Sequence, residues 1–251
     1  MNNSESIEER RYTNLKPEAR SLFSRAIINL GARLLSCAIC QTRKEKRFCP
    51  AVHGRICPQC CGEQREVTLD CPSDCPYLQQ ARQHEKPRSV ETLDRTALFP
   101  NVEIGDQFLY EQEHLILGLS FALAKSAKAD RSIRDSDLIS ALTALAGSYE
   151  TLATSGLHYG NAGTNITHQA IAAEIENMVK EYREAEQKHA GHTRLRDSDV
   201  LRALVFLLRL GLTRTSGRPK ARAFVEFLFQ QFPKPRSAIA ALDEASRIIV
   251  P

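Results

Sequence analysis

Residues 37–75 read CAICQTRKEKRFCPAVHGRICPQCCGEQREVTLDCPSDC, and the spacing of their cysteines decides how the first third of the chain is built. The pattern is Cys37-x2-Cys40-x8-Cys49-x7-Cys57-x2-Cys60-Cys61-x9-Cys71-x3-Cys75, and it holds all 8 cysteines of a 251-residue chain. Two C-x2-C knuckles and one C-x3-C knuckle each set two thiolates on a tight turn, the unit from which tetrahedral zinc sites are assembled. Eight thiolates make two four-cysteine sites with none left over. Adjacent side chains such as Cys60 and Cys61 point in different directions, so each serves a different site. The expected ligation is interleaved: Cys37, Cys40, Cys57 and Cys60 hold one zinc, and Cys49, Cys61, Cys71 and Cys75 the other. An iron–sulfur cluster is disfavoured because the ferredoxin run C-x2-C-x2-C-x3-C-P is missing. A catalytic zinc is disfavoured because such sites keep an open position and usually a His or carboxylate ligand.

The sequence 43–82, RKEKRFCPAVHGRICPQCCGEQREVTLDCPSDCPYLQQAR, resembles an eight-cysteine segment of uncharacterised bacterial and archaeal proteins. Their pattern runs CxxC, KR-x-CP, IC-x-x-CCG-x-x-R, then CP-x-x-C-x-YL. SGRPKARAF (216–224) and QQFP (230–233) are similar to the remainder of such proteins. The resemblance implies no particular activity. The layout is more distantly similar to cross-brace zinc fingers of the HIT, MYND and B-box kinds, which mostly mediate protein contacts. The histidine that some of those fingers use would be His53, but the eight cysteines already fill the ligand positions.

On either side of this module the chain reads as helix. Leu22, Ile27, Ile28, Leu30, Leu34 and Leu35 form a helical stripe after a polar tail over 1–15, and Pro76 to Arg82 reads as a short helix with proline in its first turn. The module with its flanking helices spans 16–85, and 86–105 reads as a linker. Residues 106–251 read as an α-helical bundle domain, with segments near 106–128, 135–154, 197–213 and 219–232. Ile171, Ile175, Met178, Val179 and Tyr182 mark one packed helix face. Arg247 to Val250 reads as a terminal strand or a helix end. The fold class is thus mainly α.

An internal echo runs through this domain. Ile133–Leu142 and Leu195–Leu204 agree at six of ten positions, and Thr154-Ser155-Gly156 is echoed by Thr215-Ser216-Gly217. Asp at the helix cap with a second carboxylate in the first turn satisfies free N–H groups. Either two helices are capped alike, or a helical hairpin is duplicated.

Composition limits the functions open to this chain. With 34 basic and 30 acidic residues the net charge is +4, and 42% of residues are hydrophobic, as in a soluble globular protein. The strongest apolar run, Leu115 to Ala124, is half of the roughly 20 residues of a membrane span. The expected location is the cytoplasm, where clustered cysteines bind metal rather than form disulfides. No phosphate loop, H-E-x-x-H or GxSxG motif occurs, so no catalytic residue is assigned. Glu111 with His114 and Glu186 with His189 have the spacing of di-iron ligands, but a complete constellation is lacking. Basic residues gather at 43–47 and again at 202–222, where Arg202, Arg209, Arg214, Arg218, Lys220 and Arg222 occur with no acid among them. Arg214, Arg218, Lys220 and Arg222 are the expected anion- or partner-binding surface, because cations at a helix N-terminus are unfavourable unless a partner supplies negative charge. The expected function is a zinc-binding interaction or scaffold protein with a protein partner. The alternative is a nucleic-acid-binding regulator that uses the two basic clusters.

Overall fold

A computed structural model describes residues 36–85, 93, 98–156 and 165–232. The chain divides into two compact units, Met1–Gln79 and Gln80–Pro251. The expected tail over 1–15, the stripe from Leu22 to Leu35 and the terminal segment from Arg247 to Val250 lie outside the described residues.

In the first unit a short antiparallel hairpin pairs β1 (Arg47–Cys49) with β2 (Gly54–Ile56) in the register Arg47 to Ile56, Phe48 to Arg55 and Cys49 to Gly54. No alternating pattern in the sequence announces it. Its turn places His53 in the left-handed region at φ 48°. Helix α1 (Pro58–Gln64) follows, with Pro58 in its first turn, where the missing N–H costs nothing. Cys57 caps this helix, its Sγ accepting from the Cys60 N–H at 3.4 Å. A small core of Ile56, Leu69 and buried cysteines fills the unit. Helix α2 (Pro76–His84) starts at the expected proline.

The second unit contains α3 (Asp106–Glu111), α4 (Glu113–Ala129), α5 (Asp135–Ser155), α6 (Ile166–Ala190), α7 (Asp197–Arg214) and α8 (Ala223–Gln231). Helix α5 packs most extensively on α7 and α4 on α6, and α8 lies across α4, α5 and α7. Leu115, Leu119, Leu123, Leu138, Leu142, Ile171, Ile175, Leu204, Leu207 and Phe224 are the fully buried centre. The face read at Ile171, Ile175 and Val179 is buried as its spacing requires, with Met178 and Tyr182 packed at its margin. Gly156 and Gly191 end α5 and α6 at φ 68° and 75°, a left-handed conformation that glycine adopts without a Cβ clash. No helix among the described residues is long and apolar enough to cross a membrane.

Two sequence expectations need correction here. Residues 98–105, read as part of a linker, belong to this unit. Leu98 is buried, and Phe99, Val102 and Ile104 pack against the core. Arg209 on α7 holds the segment by donating to the carbonyls of Leu98 at 2.9 Å, Phe99 at 2.8 Å and Val102 at 2.9 Å. These backbone acceptors carry no periodic sequence signal, so the segment looks structureless in the sequence.

The second correction concerns the helix caps. Arg134 and Arg196, not the aspartates, occupy the N-cap positions of α5 and α7. Asp137 and Asp199 sit three residues further on and accept from the capping residues' own N–H groups at 2.8 and 3.4 Å. That is the returning half of a capping box. Asp135 and Asp197, one residue into each helix, are used differently. Asp197 pairs with Arg183 on α6 at 2.5 Å. Asp135 is fully buried, and its carboxylate accepts from the N–H groups of Phe224 at 3.1 and 3.2 Å and Val225 at 3.0 Å. A carboxylate on one helix therefore caps the start of another, where the helix dipole favours negative charge.

Candidate metal centre

The loop from Cys37 to Cys40 is set by its backbone. Cys37 N–H donates to the Arg43 carbonyl, Gln41 N–H returns to the Cys37 carbonyl, both at 2.8 Å, and Gln41 adopts φ 54°. The Ile39 N–H also points at Cys37 Sγ, 3.4 Å away. This turn and the first turn of α1 bring Cys37, Cys40, Cys57 and Cys60 together, with all four sulfurs within 4.8 Å of one another. It is the grouping expected from the spacing, and it can hold a metal ion. Four sulfurs bound at about 2.3 Å around one tetrahedral ion would stand roughly 3.8 Å apart. None of the eight cysteines forms a disulfide, and three members of this set are buried.

The electrostatics fit a cation. Hydrogen bonds from Thr42, and then from the Arg43 N–H, hold the Cys40 thiol down to about 5. Cys57 is held low by the Cys60 N–H and by Arg43. Burial and the neighbouring sulfurs push Cys60 up to about 12. Negative charge on one sulfur disfavours it on its neighbours, and a dication among them removes that conflict.

Cys49, Cys61, Cys71 and Cys75 are not gathered in the same way; among the described residues the first set is the one such group of potential ligands. Their surroundings still link several of them. Burial raises the Cys71 thiol, opposed by a hydrogen bond from the Glu66 backbone, and the charges of Cys49 and Cys75 act on it in turn. Cys61 Sγ lies 3.6 Å from Arg47 Nη1, whereas its neighbour Cys60 faces Arg43 Nη1 at 3.8 Å. Adjacent cysteines thus address different groups. His53 lies in the hairpin turn, outside the gathered set.

Two basic residues of the run 43–47, Arg43 and Arg47, lie against groups of this module. Arg43 Nη1 approaches Cys57 Sγ at 3.6 Å as well as Cys60. The Arg47 guanidinium lies 4.6 Å over the Tyr77 ring, and Glu45 pairs with Arg55 at 2.9 Å. A run of mixed charge gives no sign in the sequence that two of its arginines aim at sulfur.

The second basic cluster also has partners within the chain. Arg214 stacks over Phe227 at 4.4 Å, Arg218 is 3.8 Å from Glu85, and Arg222 donates to the Arg131 carbonyl. Lys220 is half-buried. Arg82, Glu85, Arg214, Arg218, Glu226 and Phe227 line a cleft of about 680 Å³, and Arg82 pairs with Glu226 there. At the start of α8 the Asp135 carboxylate supplies negative charge from within the chain, to backbone N–H groups. Of the Glu-x-x-His pairs, Glu186 accepts from the N–H groups of Arg194 and Leu195 at 3.0 Å each, and Glu111 accepts from Gln107 at 2.8 Å. Both glutamates are occupied by local structure.

No protein family, curated protein or solved structure matches this chain.

Proposed function

We propose that this is a zinc-dependent interaction protein whose cysteine module holds two structural zinc ions. The observation that carries the reading is the gathering of Cys37, Cys40, Cys57 and Cys60. A set of four thiolates fills the tetrahedral positions of zinc and leaves none for substrate, which is the arrangement of a structural site. The second zinc is assigned to Cys49, Cys61, Cys71 and Cys75, supported by the charges that Cys49 and Cys75 exert on Cys71. Metal binding would draw these four closer than they stand. With a core of a few apolar residues, the module depends on metal for its fold.

The nucleic-acid reading has less support. Arg43 and Arg47 face sulfurs, and Arg214, Arg218 and Arg222 have partners in the chain. Filter binding to RNA and DNA over a salt series separates the two. The interaction protein shows no retention at physiological salt, whereas a nucleic-acid binder shows affinity that falls with salt at a slope set by its phosphate contacts. Capture of a protein partner by the zinc-loaded chain, lost after chelation, is the matching positive result.

The helical unit is read as a duplicated hairpin, α4 with α5 and α6 with α7. Ile133 and Leu195 are both buried just ahead of matching caps, and Gly156 and Gly217 both take positive φ after matching Thr-Ser pairs. The extensive packing of α4 on α6 and of α5 on α7 supports this reading.

A further inference from the structure

Arg43 and Arg47 stand four residues apart on the segment that leads into and opens β1, and they reach different sulfurs. Arg43 Nη1 lies 3.6 Å from Cys57 Sγ and 3.8 Å from Cys60 Sγ, both in the gathered set. Arg47 Nη1 lies 3.6 Å from Cys61 Sγ, in the other set, and its guanidinium is steadied over Tyr77 at 4.6 Å. Lys44, between them, is exposed, as is Lys46, whose backbone pairs with the Ile56 carbonyl at 3.0 Å.

Four thiolates around a dication leave two negative charges on the sulfurs. A guanidinium is always charged and presents a fixed fork of donors, so it can spread that charge without competing for the metal. Donors that hydrogen-bond metal ligands typically alter metal affinity about 10–100-fold.

We propose that Arg43 and Arg47 are positioning residues that each govern metal retention at one site, Arg43 at the Cys37–Cys40–Cys57–Cys60 site and Arg47 at the site containing Cys61. This inference rests on the two-zinc reading. It makes the run 43–47 part of the metal module, with division of labour between its two arginines. One short segment leading into β1 thereby tunes two sites independently.

The test uses full-length zinc-loaded protein and an excess of the chromophoric chelator 4-(2-pyridylazo)resorcinol. Sulfurs freed at each stage are identified by iodoacetamide labelling and mass spectrometry. Arg43→Gln is expected to speed zinc loss from Cys37, Cys40, Cys57 and Cys60 by about 10–100-fold and to leave the other zinc at its original rate. Arg47→Gln is expected to do the reverse. Arg43→Lys, which keeps the charge but not the fork, should fall between Arg43→Gln and the unsubstituted chain, and Lys44→Gln should change neither rate. Unchanged release from both arginine variants, or acceleration of both zincs by either one, overturns the inference. A chain that does not carry two zinc ions overturns the underlying two-zinc reading, a failure visible before any variant is made.

Discussion

Replacing Asp135 with alanine tests how the helical unit closes. Its carboxylate is fully buried and accepts from two N–H groups in the first turn of α8, Phe224 and Val225, at 3.0 to 3.2 Å. Alanine leaves both donors buried without this acceptor, at a cost of about 1–3 kcal/mol each. The lost interaction with the helix dipole adds up to about 2 kcal/mol. Phe224 and Val225 are themselves fully buried, so water cannot reach these donors without loosening the core. A loss near 3 kcal/mol is the conservative expectation, or a fall of about 6–12 °C in the midpoint of the helical transition at roughly 2–4 °C per kcal/mol. The control is Asp197→Ala at the equivalent position of the echo. Its side chain is 41% exposed and pairs with Arg183, a surface bridge worth about 1 kcal/mol or less. Far-UV circular dichroism on heating the full chain reads both variants. An Asp135→Ala midpoint as close to the original as that of Asp197→Ala would refute the reasoning.

Further expectations concern packing and segment boundaries. A Cβ at Gly211 would stand 2.9 Å from Phe224 Cε1 and 3.3 Å from Ile139 Cγ1, so Gly211→Ala should destabilise by about 1–3 kcal/mol through overpacking. At Gly118 the nearest atom is the flexible Met178 sulfur at 2.8 Å. Helix propensity there favours alanine by about 1 kcal/mol, and Gly118→Ala should be close to neutral in the same melt. Arg209→Met, which keeps the apolar stem but removes three carbonyl contacts, should cost about 2–4 kcal/mol at roughly 1 kcal/mol or more per bond and open 98–104 to limited proteolysis. By the same reasoning a fragment over 98–232 should melt well above one over 106–232. Chelation with EDTA should unfold 37–75, seen as rapid amide exchange there, while the helical signal of the second unit survives.

The sequence made the helices legible because they are long and amphipathic: α5 and α7 lie within about a residue of the segments 135–154 and 197–213 that spacing indicates, and the face Ile171–Ile175–Val179 of α6 is buried as read. The set Cys37, Cys40, Cys57 and Cys60 was legible because knuckle spacing fixes which thiols share a turn. What escaped was non-local. The partners of Asp135 are almost ninety residues away, and its local signature is identical to that of Asp197. Arg209 reaches more than a hundred residues back to backbone carbonyls, which have no letter in a sequence. Arg43 and Arg47 look like a solvated basic run until their donors are seen against sulfur. Charge in a sequence shows that a partner is needed; only the fold shows that the partner is already in the chain.

Metal content of the full-length protein, by elemental analysis together with native mass spectrometry and a visible spectrum, bears on all of this at once. The expected result is two zinc ions per chain, eight cysteines protected from alkylation until the metal is removed, and no absorption in the visible. A single bound ion, or iron with the strong visible bands of an iron–sulfur cluster, would contradict it.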